Sequence, residues 1–261
     1  MSESRAGVEP PAFASRNTDI SDMEAIQEFI DGAVVTEVLN VVKSGKEATV
    51  YRCRAHPSVG HRFVAAKVYH DGAFRNFGRD SSYTEGRVIG TGQVRRAVEK
   101  KTGVGRKLSA GMWVNREFDV LSELHYAGAD VPEPFFSTER AILMEYVGDA
   151  VEGGIHLHHT RLDSPDAGPL FERLLWNIET FLDHHIIHAD LSAFNVLTFR
   201  GTVKVIDFPQ AVDPRQNRGW LTFFERDLTN ICRHFDRYGI SADPQRIAAD
   251  LERRYRLGEL G

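Results

Sequence analysis

Apolar residues in the first half of the chain recur mainly with the alternating spacing of β-strands. The stretch VTEVLNVVKSGKEATVYRCR (35–54) predicts a strand, a turn and a second strand, with the turn at residues 44–47. The stretch HRFVAAKVYH (61–70) is rich in β-forming residues and predicts a third strand. A further apolar run, RAILMEYVG (140–148), is typical of a strand that ends at its glycine.

Apolar residues three or four positions apart mark the predicted helices. A short helix is expected to begin with a cap at Ser21 or Asp22. Longer helices are predicted over 112–126, 169–185 and 220–237, and a last one follows the cap Asp243, with Pro244 in its first turn. The predicted fold class is α+β, with a strand-rich lobe that contains one long helix, and a helix-rich lobe joined to it near 145–150.

These elements divide the chain into a flexible tail (1–18), a first lobe (19–147) and a second lobe (148–261). Within the first lobe, residues 71–111 are predicted to form a basic, flexible insertion, with nine Lys and Arg against four Asp and Glu. Long loops of this kind are usually functional or disordered. Residues 149–169, with several Gly, Asp and Pro, are predicted to form a linker.

Composition narrows the class of protein. The net charge of −5 gives no overall reason to expect a nucleic-acid partner. Cys53 and Cys232 lack metal-ligand spacing and are expected to be free thiols in a reducing cytosol. The N-terminus is polar, and no apolar run approaches the roughly 20 residues that cross a bilayer. We therefore expect a cytoplasmic protein with no membrane partner.

The most unusual polar residues lie in IIHADLSAFNVLTFRGTVKVIDFPQ (186–210), where Asp190, Asn195 and Asp207 interrupt an apolar run. Such groups are costly to bury without partners. The stretch from 195 to 207 predicts a β-hairpin that turns at Arg200-Gly201. Folding it there places Asn195 and Asp207 side by side at the open end, with Asp190 just upstream.

Oxygen ligands gathered in this way suit Mg²⁺, which usually binds substrate phosphates as well. The pattern therefore indicates phosphoryl transfer. The alternative, that each residue only caps a loop, is the better interpretation for any one of them, but the combination favours a site. A histidine run at 156–159 also suggests a transition-metal site, although such runs are more often simply solvated.

Lys67 and Glu117 add independent support from the first lobe. Lys67 shares a strand face with apolar residues, and Glu117 lies on a helix stripe between Val114 and Leu121. Two opposite charges on semi-apolar faces are expected to pair, although long side chains often extend to water instead. A lysine on a strand, a glutamate on a helix, and D-x₄-N followed by I-D stand in the order found in protein kinases.

The segments SGKEATVY, HADLSAFN and IDFPQ resemble the RIO family of atypical protein kinases, over roughly residues 35–238. The stretch RRAVEKKTGVGRKLSAGMWVNREF (95–118) is similar to the bacterial branch of that family. A Walker P-loop is excluded because Gly45-Lys46 is followed by Glu47 and lacks an earlier matching glycine. The resemblance implies a trimmed, two-lobed kinase fold with ATP in the cleft between the lobes.

The resemblance also implies the cofactors, ATP with Mg²⁺ or Mn²⁺, and a role for each site residue. Ser44, Gly45, Lys46, Glu47 and Ala48 would cover the phosphates, Lys67 would bind them, and Glu117 would orient Lys67. Asp190 would be the catalytic aspartate, Asn195 and Asp207 would bind the metal, and Asp227 would support the catalytic loop. The remaining nucleotide contacts implied are Met144 as gatekeeper, Glu145 and Val147 through their backbone, Val50, Ala65, Leu197 and Ile206 around adenine, and Ser192.

Departures from ordinary protein kinases qualify this expectation. Ala189 replaces the arginine of H-R-D, Ser192 stands where a lysine is usual, and no A-P-E segment follows. The function expected is therefore a serine/threonine kinase that phosphorylates itself or a protein acceptor, with ATPase capability. By the same resemblance Asp207 itself is expected to be transiently phosphorylated.

Two alternatives remain from the sequence. In one, the chain is an ATP-gated switch that docks on a ribosome-assembly or other macromolecular partner, with insertion 71–111 as the candidate surface and Ser81 and Ser82 as candidate autophosphorylation sites. In the other, it is an aminoglycoside-type phosphotransferase, which shares H-x-D-x₄-N. SGKEATVY and IDFPQ fit that second alternative poorly.

Overall fold

The computed structural model describes residues 20–70 and 103–261. Their helices and strands run in this order: α1 (Ile20–Asp31), β1 (Val35–Ser44), β2 (Ala48–Ala55), a 3₁₀ turn (Pro57–Val59), β3 (Phe63–Tyr69), α2 (Gly103–Tyr126), β4 (Pro134–Ser137), β5 (Ala141–Glu145), β6 (Ile155–His156), a 3₁₀ turn (Leu157–His159), α3 (Ser164–Asp183), β7 (Val196–Phe199), β8 (Thr202–Val205), α4 (Trp220–Asp236) and α5 (Pro244–Leu257). The predicted tail 1–18, residues 71–102 of the predicted insertion, and Ser81 and Ser82 lie outside the described residues.

The first lobe is built on an antiparallel sheet in the order β1-β2-β3-β5-β4. α1 covers one face of this sheet, where Ile26 and Phe29 pack with Tyr51, Val64 and Leu143. β4 was not predicted, because the two prolines at 132 and 134 were interpreted as a break between elements. It lies at the edge of the sheet, where proline is tolerated since no neighbouring strand needs its missing N–H.

Helix α2 begins at Gly103 rather than near residue 112, so residues 103–111 of the predicted insertion are helical. Glycines at 103, 105 and 111 weaken the helical pattern there, since each costs about 1 kcal/mol relative to alanine. Further along α2, the buried side chains of Val114, Leu121 and Leu124 fix the helix against the core. The core therefore anchors α2 from Val114 onward, and the turns at 103–111 extend the same helix towards its N-terminus.

The second lobe combines α3, α4 and α5 with a small sheet in the order β6-β7-β8. The predicted linker 149–169 contains β6, a 3₁₀ turn and the first residues of α3. These elements are too short to produce a periodic pattern, so the sequence did not reveal them. Cys53 and Cys232 are both buried free thiols, as predicted. Among the described helices, none combines the length and apolar character needed to cross a membrane.

Candidate active site between the lobes

Lys67 on β3 connects the two lobes through paired carboxylates. Its Nζ donates to Glu117 Oε1 of α2 at 2.8 Å and to Asp207 Oδ1, just after β8, at 2.6 Å. Lys67 is 8% exposed and Glu117 is 1% exposed. The predicted pairing of Lys67 with Glu117 is present, and Asp207 joins it as a second partner.

The charges of Lys67, Asp207 and Glu117 shift one another's pKa values. Burial disfavours the Lys67 ammonium, but Asp207 and Glu117 outweigh burial, and the pKa of Lys67 is raised. Burial also opposes ionisation of Asp207, yet Lys67 brings the pKa of that carboxyl below its ordinary value. The pKa of Glu117 is raised by burial, although Lys67 and the Phe208 N–H, 3.2 Å from Oε1, favour its charged form. Lys67 and Asp207 therefore form a charged pair at the cleft.

The predicted hairpin is present and places the residues predicted to bind the metal at its open end. Val196 pairs with Val205, and the Ile206 N–H donates to Asn195 O at 2.9 Å. The turn has positive φ at Arg200 (48°) and Gly201 (81°), as a two-residue hairpin turn of type I′ requires. Asn195 and Asp207 thus leave neighbouring strands at one edge, next to Lys67.

Asn195 also fixes the predicted catalytic loop, residues 188–195, which carries Asp190. Its Nδ2 donates to the backbone oxygen of Asp190 at 2.9 Å and approaches Asp190 Oδ2 at 3.3 Å. Because the amide nitrogen faces Asp190, Oδ1 is the end of the side chain available as a metal ligand. The pKa of Asp190 is raised by desolvation and by Asp207, while Arg226 acts in the opposite direction. A raised pKa makes this carboxylate a better proton acceptor.

The loop around Asp190 is held in a strained conformation by α4. In this loop Ala189 has a φ of 63°, which lies in the left-handed region. Asp207, after β8, also has a left-handed φ, of 74°. Asp227 accepts hydrogen bonds from the N–H groups of Ala189 at 2.8 Å and Leu191 at 2.9 Å. Burial raises the pKa of Asp227 to about 7.

Two further α4 residues were missed by sequence reasoning. Asn230 donates to Leu191 O at 3.0 Å, and Arg226 donates to Ala189 O. Both side chains bind backbone carbonyl oxygens. The sequence offered one sign of this role, their spacing from Asp227: Arg226 precedes it by one position and Asn230 follows it by three. Together these contacts hold the catalytic loop where its strained φ angle requires support.

The side chains predicted to face the nucleotide share one face of the first sheet. Val50 pairs with Lys67, and Ala65 pairs with Met144. Directly paired residues, and residues two apart on a strand, lie on the same face. The predicted phosphate loop, residues 44–48, closes through a hydrogen bond of 2.9 Å from Gly45 N to Ala48 O. These positions agree with a nucleotide cleft, while the individual roles stay predictions.

Below the sheet, Leu197 lies on β7 and Ile206 directly follows β8, and both are partly buried. Ser192 accepts from the Phe194 N–H at 3.3 Å.

The segment that connects the lobes uses some of its backbone groups in internal hydrogen bonds, so fewer of them can contact adenine. Glu145 N donates to Glu133 O, and Val147 O accepts from Gly154 N, both at 2.7 Å. This leaves the Glu145 carbonyl and the Val147 amide as the predicted adenine partners.

The donor set fits magnesium. A carboxylate at Asp207 and an amide oxygen at Asn195 are hard ligands, and Asp207 keeps 43% of its side chain exposed despite its contact with Lys67. The position next to the phosphate loop matches a metal that carries phosphate oxygens. Residues and metal are therefore chemically compatible.

The two-lobed fold is of the protein-kinase type, and the predicted site residues lie together between its lobes. The chain belongs to the RIO domain family, a group of atypical serine/threonine protein kinases, because the family model matches residues 49–247. The expected family and the trimmed two-lobed fold are thus confirmed. The likeness of the insertion to the bacterial branch stays a prediction.

Similar proteins support this assignment. The chain is 25% identical over 225 residues to "Serine/threonine-protein kinase RIO1" of Chaetomium thermophilum, covering 82% of this chain and 42% of that protein. It is 26% identical over 195 residues to "RIO-type serine/threonine-protein kinase Rio1" of Thermoplasma acidophilum, covering 75% of this chain and 96% of that protein.

A solved structure shares the fold. The Rio2 kinase-ADP/Mg²⁺-phosphoaspartate complex from Chaetomium thermophilum matches with a TM-score of 0.64 and 20% identity. The match covers 88% of this chain and 64% of that one. At this identity the likeness shows the fold alone.

Proposed function

We propose that the chain transfers the γ-phosphoryl group of ATP to a serine or threonine hydroxyl, on itself or on a protein acceptor. The observation that carries this proposal is the contact of Lys67 with both Glu117 and Asp207 at the open end of a hairpin that also presents Asn195. A cation at this position binds phosphates while the neighbouring oxygens hold a metal. The buried free thiols support a reducing, cytoplasmic setting.

Each group has a defined task in this reaction. The backbone of residues 44–48 covers the phosphates, and Lys67, oriented by Glu117, binds them. Asn195 Oδ1 and Asp207 would hold Mg²⁺, which when bound neutralises charge on the β- and γ-phosphates. The catalytic loop, fixed by Asp227, keeps Asp190 at the position of the acceptor.

In the transfer step, the acceptor oxygen forms a bond to the γ-phosphorus. The bond from that phosphorus to the β–γ bridging oxygen breaks, and its electron pair leaves with ADP. The acceptor proton moves to the Asp190 carboxylate, whose raised pKa favours this role. The residues therefore position the reactants and stabilise charge, which is most of what this reaction requires.

A second candidate function is an ATP-gated switch. Residues 208–219 alone separate Asp207 from α4, which is too short for a separate peptide-docking region. The solved Rio2 complex named above contains phosphoaspartate. In this version an Asp207 oxygen attacks the γ-phosphorus, ADP leaves, and water later hydrolyses the acyl phosphate to release phosphate. A ribosome-related partner that contacts residues 71–111 would respond to that cycle.

ATP labelled at the γ-phosphate separates these functions. For the kinase, we expect the label on serine or threonine of this chain or of an added protein, and none with Asp190→Ala. A label that is sensitive to hydroxylamine and absent in Asp207→Asn indicates the acyl-phosphate cycle. If the label stays in bound ATP, both phosphoryl-transfer versions fail and only a switch operated by binding survives.

A further inference from the structure

Lys43, the last residue before the phosphate loop, faces the cleft. It pairs with Val50 across β1 and β2, and Val50 pairs with Lys67 across β2 and β3. Directly paired side chains lie on the same face of an antiparallel sheet. Since Lys67 contacts Asp207 below that face, the Lys43 side chain extends into the same space.

Lys43 also reaches the second lobe. Its Nζ lies 3.3 Å from Nε2 of His156 on β6. His156 in turn pairs with Leu197, two residues after Asn195. The contact therefore crosses the cleft from the phosphate loop to the strand beside the catalytic loop.

The partner of Lys43 is a neutral group. Burial, and then the charge of Lys43 itself, lower the pKa of His156, so its ring accepts a hydrogen bond rather than repelling the ammonium. Within residues 20–70 and 103–261, Lys43 forms no salt bridge. Among these described residues its charge is thus oriented by His156 and paired with no carboxylate, in contrast to the charge of Lys67, which two carboxylates share.

One lysine of ordinary protein kinases is missing from the sequence that follows Asp190. Ser192 occupies the catalytic-loop position at which ordinary kinases carry a lysine for the transferred phosphate. Asp190, Asp207 and Glu117 add negative charge nearby.

We propose that Lys43, positioned by His156, binds the γ-phosphate of ATP and takes the place of the lysine that is absent at position 192. This inference rests on the proposed phosphoryl transfer and adds a residue to it. Lys43 stabilises charge on the oxygens of the transferred group, while Lys67 serves the phosphates that remain in ADP. His156 acts as a positioning residue, since it touches Lys43 rather than the nucleotide.

The test compares two nucleotides that differ only in the γ-phosphate. Affinities for ADP and for a non-hydrolysable ATP analogue are measured by titration with Mg²⁺ for wild type and for Lys43→Met. We expect about 10-fold weaker binding of the ATP analogue, within 2-fold unchanged binding of ADP, and slower ADP release from ATP. Lys43→Arg should restore most of the lost affinity, because the charge returns.

Two further variants make the result specific. Arg54→Met removes an exposed cation of β2 that pairs with Glu37 at 2.9 Å, and it should change neither affinity. His156→Leu should weaken binding of the ATP analogue a few-fold, and His156→Gln, which keeps an acceptor, should not. Unchanged thermal unfolding of Lys43→Met shows that the exposed substitution leaves the fold intact.

The outcomes separate this inference from the proposed function. If wild type turns over ATP and Lys43→Met binds both nucleotides as wild type does, the role of Lys43 is overturned while the kinase stands. Equal loss of ADP and ATP-analogue affinity overturns the assignment to the γ-phosphate. If wild type binds neither nucleotide, the proposed function fails, and this inference fails with it.

Discussion

At the scale of single residues, the cleft relies on charges that can be buried because they are paired. Lys67 and Glu117 are almost fully buried, and the charge of Lys67 is compensated by Asp207 as well as by Glu117. Removing one member of such a pair is expected to cost about 3 to 5 kcal/mol, because the remaining charge stays buried without a partner. Stability and function are therefore coupled at this position.

Lys67→Met should lower the free energy of unfolding by about 3 kcal/mol and abolish ATP turnover. Adding Glu117→Leu removes the more deeply buried of the two carboxylates that Lys67 compensates, whereas Asp207 keeps 43% of its side chain exposed. The double variant should therefore recover much of the stability while turnover stays absent. Urea unfolding and ADP release measure the two effects. A double variant no more stable than Lys67→Met would contradict this account of the pair.

Sequence reasoning reached most charged residues of the site because each interrupts an apolar pattern. Lys67 and Glu117 stand on semi-apolar faces, and Asp190, Asn195 and Asp207 stand in an apolar run. Residues whose targets are backbone groups gave no such signal. Arg226 and Asn230 bind carbonyl oxygens of a loop whose strained shape only the folded chain defines.

At the scale of elements, strands with regular alternation and helices with an apolar stripe were predictable, and short or irregular elements were not. The hairpin β7–β8 matched its predicted register because the turn and the alternation agree. β4 begins at a proline, and β6 consists of two residues, so neither presents a period. The start of α2 was hidden by glycines, as described above.

The segment between the lobes depends on glycine at position 154. A Cβ added there would lie 2.9 Å from Val147 Cγ1 and 3.2 Å from Val147 O. Gly154→Ala should therefore displace Val147 and weaken ATP binding about 10-fold, equivalent to about 1.4 kcal/mol. Titration with ATP in the presence of Mg²⁺ measures the change.

Gly111 on α2 provides a matched control, since its added Cβ would meet only Glu139 at 3.9 Å or more. Gly111→Ala should leave ATP affinity unchanged and raise stability by up to about 1 kcal/mol, because alanine is favoured within a helix. Equal ATP affinity in Gly154→Ala and wild type would show that the close packing at Val147 does not shape the adenine site.

At the scale of the whole molecule, the main hydrophobic core includes residues of β3 and α2 together with residues of α3, α4 and α5. The division into two lobes followed from the change in periodicity along the chain. The periodicity did not reveal that the main core crosses this division, because contacts distant in sequence leave no periodic signal. The resemblance, rather than periodicity, indicated how the lobes meet around ATP.

His234, buried in α4, should make stability depend on pH. Neither ring nitrogen has a hydrogen-bond partner in the described structure. Burial, and then Arg237 and His158, lower its pKa to about 4. Between pH 6.5 and 4 the unfolded state binds a proton that the folded state excludes, so this group reduces stability as the pH falls through that window.

His234→Phe should be more stable than wild type by about 1 kcal/mol at pH 7, because an unpaired buried polar group is removed. The difference should widen at pH 5, since only the wild type loses stability through this histidine. Urea unfolding at both pH values measures it, and the other titrating groups contribute equally to both proteins. A difference that stays constant or narrows would contradict the assignment of His234 as neutral and buried.

The most direct test of the central claim is ADP release from Mg²⁺-ATP by the purified protein, beside Asp190→Ala and Asp207→Asn. Asp250→Asn, an exposed aspartate of α5, is the matched control. We expect turnover in wild type and in the control, and at least about 100-fold slower turnover in the two site variants. Full turnover by either site variant, or ATP binding without turnover in wild type, would contradict the claim that these residues catalyse phosphoryl transfer.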